Sequence, residues 1–175
     1  MASEKIEIRL RAVEPSDTDW IYLLENEPSA RAVSAELAPL SRQQIWEYAS
    51  NYDANPLKDG HLRMIIDFAG EKGARAGIVD LYDIDVRNSR AMVGIVISPS
   101  YRRQGIAREA LRRISDYCSA TLSISRIFAE VAEDNATSIA LFEASGFLRV
   151  GSTAGWYRRG DRYVSRICFM MTSSC

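Results

Sequence analysis

The 175-residue chain is poor in several things, and each shortage excludes something. It has no excess of either charge: 22 Lys and Arg stand against 23 Asp and Glu, for a net charge of -1. Such a balance argues against a nucleic-acid coat or a polybasic membrane binder, so neither nucleic acid nor a membrane is expected as a partner. It has no long apolar run: the longest, Ala91 to Ile97 with Gly94 counted, falls far short of the roughly 20 residues that a membrane-spanning helix needs. The N-terminal MASEKIEIRL has no hydrophobic signal core. Three cysteines, Cys118, Cys168 and Cys175, are odd in number and show neither metal-ligand nor disulfide spacing. Two core thiols and one loose terminal thiol in a reducing cytoplasm are expected, and no metal. Neither G-x-x-x-x-G-K-[ST] nor G-x-G-x-x-G occurs, which removes the P-loop and the dinucleotide fingerprint. No repeat or low-complexity linker divides the chain, and its length suits one domain over 1–175.

What is present is a succession of clear periodicities. Ile6, Ile8, Leu10 and Ala12 alternate with charged residues, a half-buried strand over 6–12. EPSDTDW supplies helix-start residues before an apolar stripe of Trp20, Leu23 and Leu24, which Pro28 ends. Ser41 and Gln44 form a capping box for a second short helix, and Pro56 and Gly60 break the pattern. Strands are predicted over 61–69, 75–85 and 91–98, joined by the turns GEKG and VRNS. A long amphipathic helix follows Gly105. Then come a strand over 126–133, a helix from Asn135 to Ser145 stopped by Gly146, and strands near 147–157 and 162–172 around the turn RRGD. The order βαα, βββ, αβαββ makes the 91–133 unit a right-handed crossover between parallel strands in a mixed α/β (α+β) sheet. Ligands in such sheets sit beyond the carboxyl ends of the parallel strands, and Ser98 to Gly105 lies at that edge.

There the sequence reads SPSYRRQGIA. A helix N-terminus carries unpaired N–H donors and partial positive charge, and Gly105 lets a ligand approach the backbone. With Arg102, Arg103 and Gln104 beside it, this is a candidate diphosphate cradle; a solvated basic turn is the plain alternative. Arg102-Arg103-Gln104-Gly105-Ile106-Ala107 resembles the R/Q-x-x-G-x-G/A signature of the GCN5-related N-acetyltransferases. NATSIALFEASGF, 135–147, resembles that family's second signature, and AGIVDLYDIDVRNSRAMVGIVISP resembles the strands of its polyamine and ribosomal-protein N-terminal branch. The resemblance spans about residues 5–172.

The resemblance implies the family's mixed sheet of about seven strands with splayed central parallel strands, and about four helices. It implies acetyl-CoA as co-substrate, its pantetheine arm along Ile95, Val96 and Ile97 and its diphosphate on the amides of Arg102 to Ala107. Asn135 would contact the arm from the other side; a plain helix cap is equally compatible with it. Glu130 is the first candidate for the base that deprotonates the amine, with Asp80 and Asp83 behind it; each can also be a solvated strand carboxylate. Phe142 stands where many relatives carry the tyrosine that protonates the leaving thiolate, and phenylalanine has no proton to give. Tyr157, Ser138, water or the ammonium product are the alternatives. Ser165 departs from an acidic or amide position of the branch. A polyamine or other small cationic amine is favoured as acceptor, with a peptide N-terminus, or a catalytically weak acyl-CoA-binding module, as alternatives. Relatives of this kind form dimers or larger rings, so a homo-oligomer is implied. His61 reads as a surface residue at a strand start, Trp20, Trp46 and Tyr48 as packing aromatics, and ENEP with Glu36 as a solvated face or the rim of a cation pocket.

Overall fold

The computed structural model describes residues 6–31, 38–69 and 73–172. Its elements are β1 (Ile8–Ala12), α1 (Thr18–Glu25), α2 (Pro28–Arg31), α3 (Arg42–Asn51), α4 (Pro56–Asp59), β2 (Leu62–Phe68), β3 (Ala74–Asp85), β4 (Arg90–Ile97), α5 (Ile106–Leu122), β5 (Arg126–Ala132), α6 (Ala136–Ala144), β6 (Leu148–Arg159) and β7 (Arg162–Thr172). Every predicted strand is present within two residues of its expected bounds. The described helices number six where about four were expected. The added pair, α2 and α4, are single turns that begin at Pro28 and Pro56. A proline at the first helical position loses only an N–H that has no intrahelical partner, so these prolines start turns as well as ending the preceding pattern. The Gly70 to Lys72 part of the predicted GEKG turn, Glu36 and Cys175 lie outside the described residues.

The seven strands form one sheet in the order β1-β2-β3-β4-β5-β7-β6. Only β4 and β5 run parallel; every other neighbouring pair is antiparallel. Alternation along the strands divides the core in two. Ile66 and Val79 join Ala110, Leu111, Ile114 and Cys118 of α5, while Ile65 and Ile78 join Ile21 and Leu24 of α1 and Ile45 and Ala49 of α3. Adjacent strand residues point to opposite faces, which is why neighbours such as Ile65 and Ile66 serve different clusters. Trp20 and Tyr48 pack on the second cluster as expected. Trp46 does not: it is 54% exposed, because the buried stripe of α3 runs through Ile45 and Ala49. Cys118 is fully buried, whereas Cys168 is only half-buried, and both are free thiols.

The sheet opens at its centre, where the site lies, and is tied by a buried carboxylate near one edge. The parallel pair is registered at only three positions, Arg90 with Arg126, Ala91 with Ile127 and Met92 with Phe128. Beyond Met92, β4 stays with β3 as far as Ile97, and β5 stays with β7 as far as Ala132, so the two strands part into a wedge. The β5-facing amides and carbonyls of β4 beyond that point have no strand partner, and backbone polar groups left in that state need another. At the opposite edge of the sheet, Asp17 is fully buried and ties β1, the turn before α1 and β3 together. It accepts hydrogen bonds from Arg11 Nη1 (2.8 Å) and Nη2 (2.9 Å), Arg75 Nε (2.6 Å) and the Glu14 amide (2.9 Å).

Candidate active site

The wedge holds a cavity of about 510 Å³. β4 lines it with Val93, Gly94, Ile95 and Val96, β5 with Glu130, Val131 and Ala132, α6 with Asn135, Ser138 and Phe142, and β6 with Trp156, Tyr157 and Arg159. Tyr82 reaches it from β3; its ring edge lies over Gly94, 3.7 Å from where a Cβ on that glycine would stand. Of the carboxylates predicted from the sequence, Glu130 is in the lining, and Asp80 and Asp83 are not.

The reasons are local. Glu130 sits on β5 opposite Cys168 of β7, and its Oε1 accepts a hydrogen bond from Arg166 Nη1 at 2.8 Å. Asp80 faces α1 and α3 instead of the wedge. Arg63 grips both of its oxygens, through Nε to Oδ1 (2.7 Å) and Nη2 to Oδ2 (2.9 Å), and itself pairs with Glu25 at 2.8 Å. His61 does not stand free at the surface: its Nε2 lies 3.3 Å from Asp80 Oδ1. Burial raises the Asp80 carboxyl, but His61 and Arg63 outweigh it and hold the group below the ordinary carboxylate range. Asp83 is exposed at a positive φ of 48°, in the irregularity where the β3–β4 register shifts between Tyr82 and Asp85.

The segment before α5 has the shape of an anion cradle built from backbone. Arg103 and Gly105 both take positive φ, 62° and 77°, a sequence of conformations that turns successive amides toward a common point. The first intrahelical bond is made by the Glu109 amide to Gly105 O (3.1 Å), which leaves the amides of Ile106, Ala107 and Arg108 without a partner in the helix. The side chains of Arg102, Gln104 and Ile106 are otherwise engaged. Arg102 donates to Ile97 O (3.0 Å) and to Ser29 Oγ (2.9 Å), Gln104 donates to Ser100 O (3.0 Å), and Ile106 is buried in the core. The left-handed backbone of Gly105 favours glycine, and a Cβ there would also have to displace Cδ1 of Ile6, the movable end of that side chain.

On the far wall, Asn135 Oδ1 accepts from the Ser138 amide (3.1 Å), capping α6 while also lining the cavity. Phe142 is 5% exposed, its ring stacked on Phe169 (5.9 Å) and set edge-on to Phe147 (5.0 Å). Tyr82, which motif reading passed over, supplies a hydroxyl-bearing ring at the wedge; its signal was its place between Asp80 and Asp83 on the strand before β4. Burial pushes its pKa up to about 12, with Glu130 and Tyr157 adding to the rise. Burial raises Tyr157 as well. Both phenols therefore keep their protons at neutral pH. Among the described residues no three His, Cys, Asp or Glu side chains gather to hold a metal ion, and no helix is long and apolar enough to cross a membrane.

A pair of parallel strands that part around a cavity, with a glycine-opened helix N-terminus at their carboxyl end, is what the family resemblance implies. Residues 7–148 match the model of the Acetyltransferase (GNAT) domain, and the chain belongs to that family. It is an acetyl-CoA-dependent N-acetyltransferase. It is similar to spermidine N(1)-acetyltransferase of Escherichia coli K12, 28% identical over 80% of this chain and 72% of that protein. It is likewise similar to a putative ribosomal N-acetyltransferase of Bacillus subtilis, 27% identical over 87% and 85% of the two chains. Its fold matches spermidine N-acetyltransferase from Vibrio cholerae in complex with CoA and spermine, with a TM-score of 0.82 at 24% identity over 94% of this chain and 95% of that one. A dodecameric structure of the same Vibrio protein matches with a TM-score of 0.77 at 24% identity, over 94% and 93%.

The cradle carries a direct expectation. Gly105→Val should raise KM for acetyl-CoA about tenfold or more, the loss of one charge-assisted contact, while KM for the amine stays within about twofold. Steady-state kinetics with each substrate varied in turn measures both; an unchanged KM for acetyl-CoA would remove the cradle from the account.

Proposed function

We propose that this enzyme acetylates a primary amine of a polyamine or of another small cationic amine. In this reading Glu130 is the base and the cleft between β4 and β5 is the reaction site. The observation that carries it is the three-position pairing of β4 with β5, which leaves a strand edge for the cofactor arm and one carboxylate across from it. Ile95, Val96 and Ile97 present that edge, and the amides of Arg102 to Ala107 receive the diphosphate. A primary amine, with a pKa near 10, arrives protonated and must lose a proton before it attacks. Glu130 accepts it directly or through a water; the C–N bond then forms, the thioester C–S bond breaks, and unpaired N–H groups of β4 stabilise the oxyanion. Phe142 leaves the thiolate to be protonated by a hydroxyl that lines the cavity, from Tyr82, Tyr157 or Ser138, or by water.

Relatives that act on spermidine support the acceptor class. A second reading, a peptide N-terminus, has its own support: nearby carboxylates that would draw a polycation are already shared, Glu25 with Arg63 and Asp134 with Arg159. A scan of spermidine, spermine, small monoamines and short peptides, detecting released CoA thiol, separates the readings. Turnover several-fold faster with the polyamines is expected; release only with peptides would move the acceptor to the second reading, and tight CoA binding with no release from any amine would leave a binding module.

A homo-oligomer belongs to the same proposal. β6 is an edge strand of 12 residues, and Leu148, Val150 and Trp156 on it are 68%, 49% and 52% exposed; an open edge of that length is a pairing surface. The free Cys118 and Cys168 thiols fit a reducing cytoplasm.

A further inference from the structure

We propose that Arg166 is a positioning residue for the transfer: it holds Glu130 by one oxygen so that the other is presented to the amine. The inference rests on the reading of Glu130 as base. Arg166 lies on β7 opposite Ala132 of β5, and Glu130 lies opposite Cys168. The two are therefore diagonal neighbours on one face of the sheet, a separation that a long side chain spans. Its guanidinium is fixed from several sides. Nη1 donates to Glu130 Oε1 (2.8 Å), Nη2 donates to Thr153 Oγ1 (3.2 Å), and Cζ stands 3.7 Å from the centre of the Trp156 ring. Among the described residues it is the only cation in an ion pair with Glu130. Tyr82 from β3, Tyr157 from β6 and the free thiol of Cys168, opposite Glu130 on β7, are the other titratable groups set against that carboxylate, and Arg159 of β6 shares the cavity wall.

Stability does not account for this arrangement. A part-exposed pair of this kind contributes little to folding, and Arg166 Nε is buried with no hydrogen-bond partner, which opposes it. A planar cation clamped between a ring, a hydroxyl and one carboxylate oxygen does fix the direction of the second oxygen. A misplacement of about 1 Å in a reacting group is enough to cost about 100-fold in rate.

The test is a cycle of Arg166→Met, Glu130→Gln and the double variant, with Arg166→Lys beside them. Arg166→Met should lower kcat about tenfold or more and leave KM for acetyl-CoA within about twofold. Arg166→Lys, which keeps the charge but not the fork, should recover part of the loss. In the Glu130→Gln background the Arg166 substitution should have almost no further effect, because the group it positions is gone. Equal losses in both backgrounds, or a loss confined to KM or thermal midpoint, would overturn the role of Arg166 and leave Glu130 as base. A Glu130→Gln enzyme at the wild-type rate overturns both. Thr153→Val, which removes one anchor of the guanidinium, reads the same quantity if Arg166→Met does not fold, and a wild-type kcat there counts against the proposal.

Discussion

Glu130→Gln is expected to lower kcat by about 100-fold or more, the usual contribution of a positioned general base. The substitution keeps the shape of the side chain and leaves an oxygen for Arg166, whose Nη1 donates to Oε1 at 2.8 Å. The wall between β5 and the cavity is thus preserved, and what disappears is the capacity to take a proton. KM for acetyl-CoA should stay within about twofold, since the groups that would hold the cofactor lie on β4 and at the start of α5. Raising the pH should recover part of the lost rate, because a rising share of the amine, with its pKa near 10, then arrives already deprotonated. Initial rates of thiol release between neutral pH and about pH 9.5, on wild type and variant together, measure all three quantities. A kcat indistinguishable from wild type at neutral pH would remove Glu130 from the chemistry.

The second large effect concerns folding. Asp17→Asn should destabilise the protein by about 3 kcal/mol, the lower end of what removing one partner from a buried ion pair costs. Arg11 and Arg75 converge on this single buried carboxylate, and the amide of Glu14 depends on it. Asparagine leaves Arg75 beside a neutral group and Arg11 with only its 2.7 Å pair to Asp67. For a domain of this size, about 3 kcal/mol corresponds to roughly 6–12 °C in thermal midpoint. The pH dependence has a definite sign. Burial raises the Asp17 carboxyl, but the bonds from Arg11, Glu14 and Arg75 outweigh it, so the folded pKa is below the ordinary carboxylate value. A depressed pKa gives stability that is fully present above the unfolded value, near 3.9, and is lost as the pH falls through the folded one. The gap in midpoint between wild type and Asp17→Asn should therefore hold between about pH 5 and 7 and narrow steadily below about pH 4. A gap that stays constant on acidification would show that the carboxylate is not the source of the stability.

Asp17 and Glu130 show where sequence reading stops. In the sequence Asp17 is one of several helix-start residues in EPSDTDW, with nothing to mark it as the buried one. Its partners lie 6 and 58 positions away, on β1 and β3. By residue type alone Asp80, Asp83 and Glu130 look alike, three acidic residues on predicted strands, and it is the family resemblance that places Glu130 first. Only the register of β5 against β7, and the loss of pairing between β4 and β5 after Met92, put Glu130 in the cavity lining. Arg63 closing on Asp80 from β2 occupies both oxygens of that aspartate.

The sequence by itself determined the strands, the long helix after Gly105, the mixed sheet and the glycine-headed turn that opens that helix. Each of these is written in short-range terms: alternation of period two, a stripe of period 3.6, a glycine at a left-handed position, a cap residue three positions before the amide it serves. Which carboxylate lines the cavity, which arginine pairs with it, and how Tyr82 comes to share a wall with Tyr157 were decided only by the tertiary structure. Those relations join strands far apart in the chain, and their energies depend on burial and on distances of a few ångströms, which no local pattern encodes.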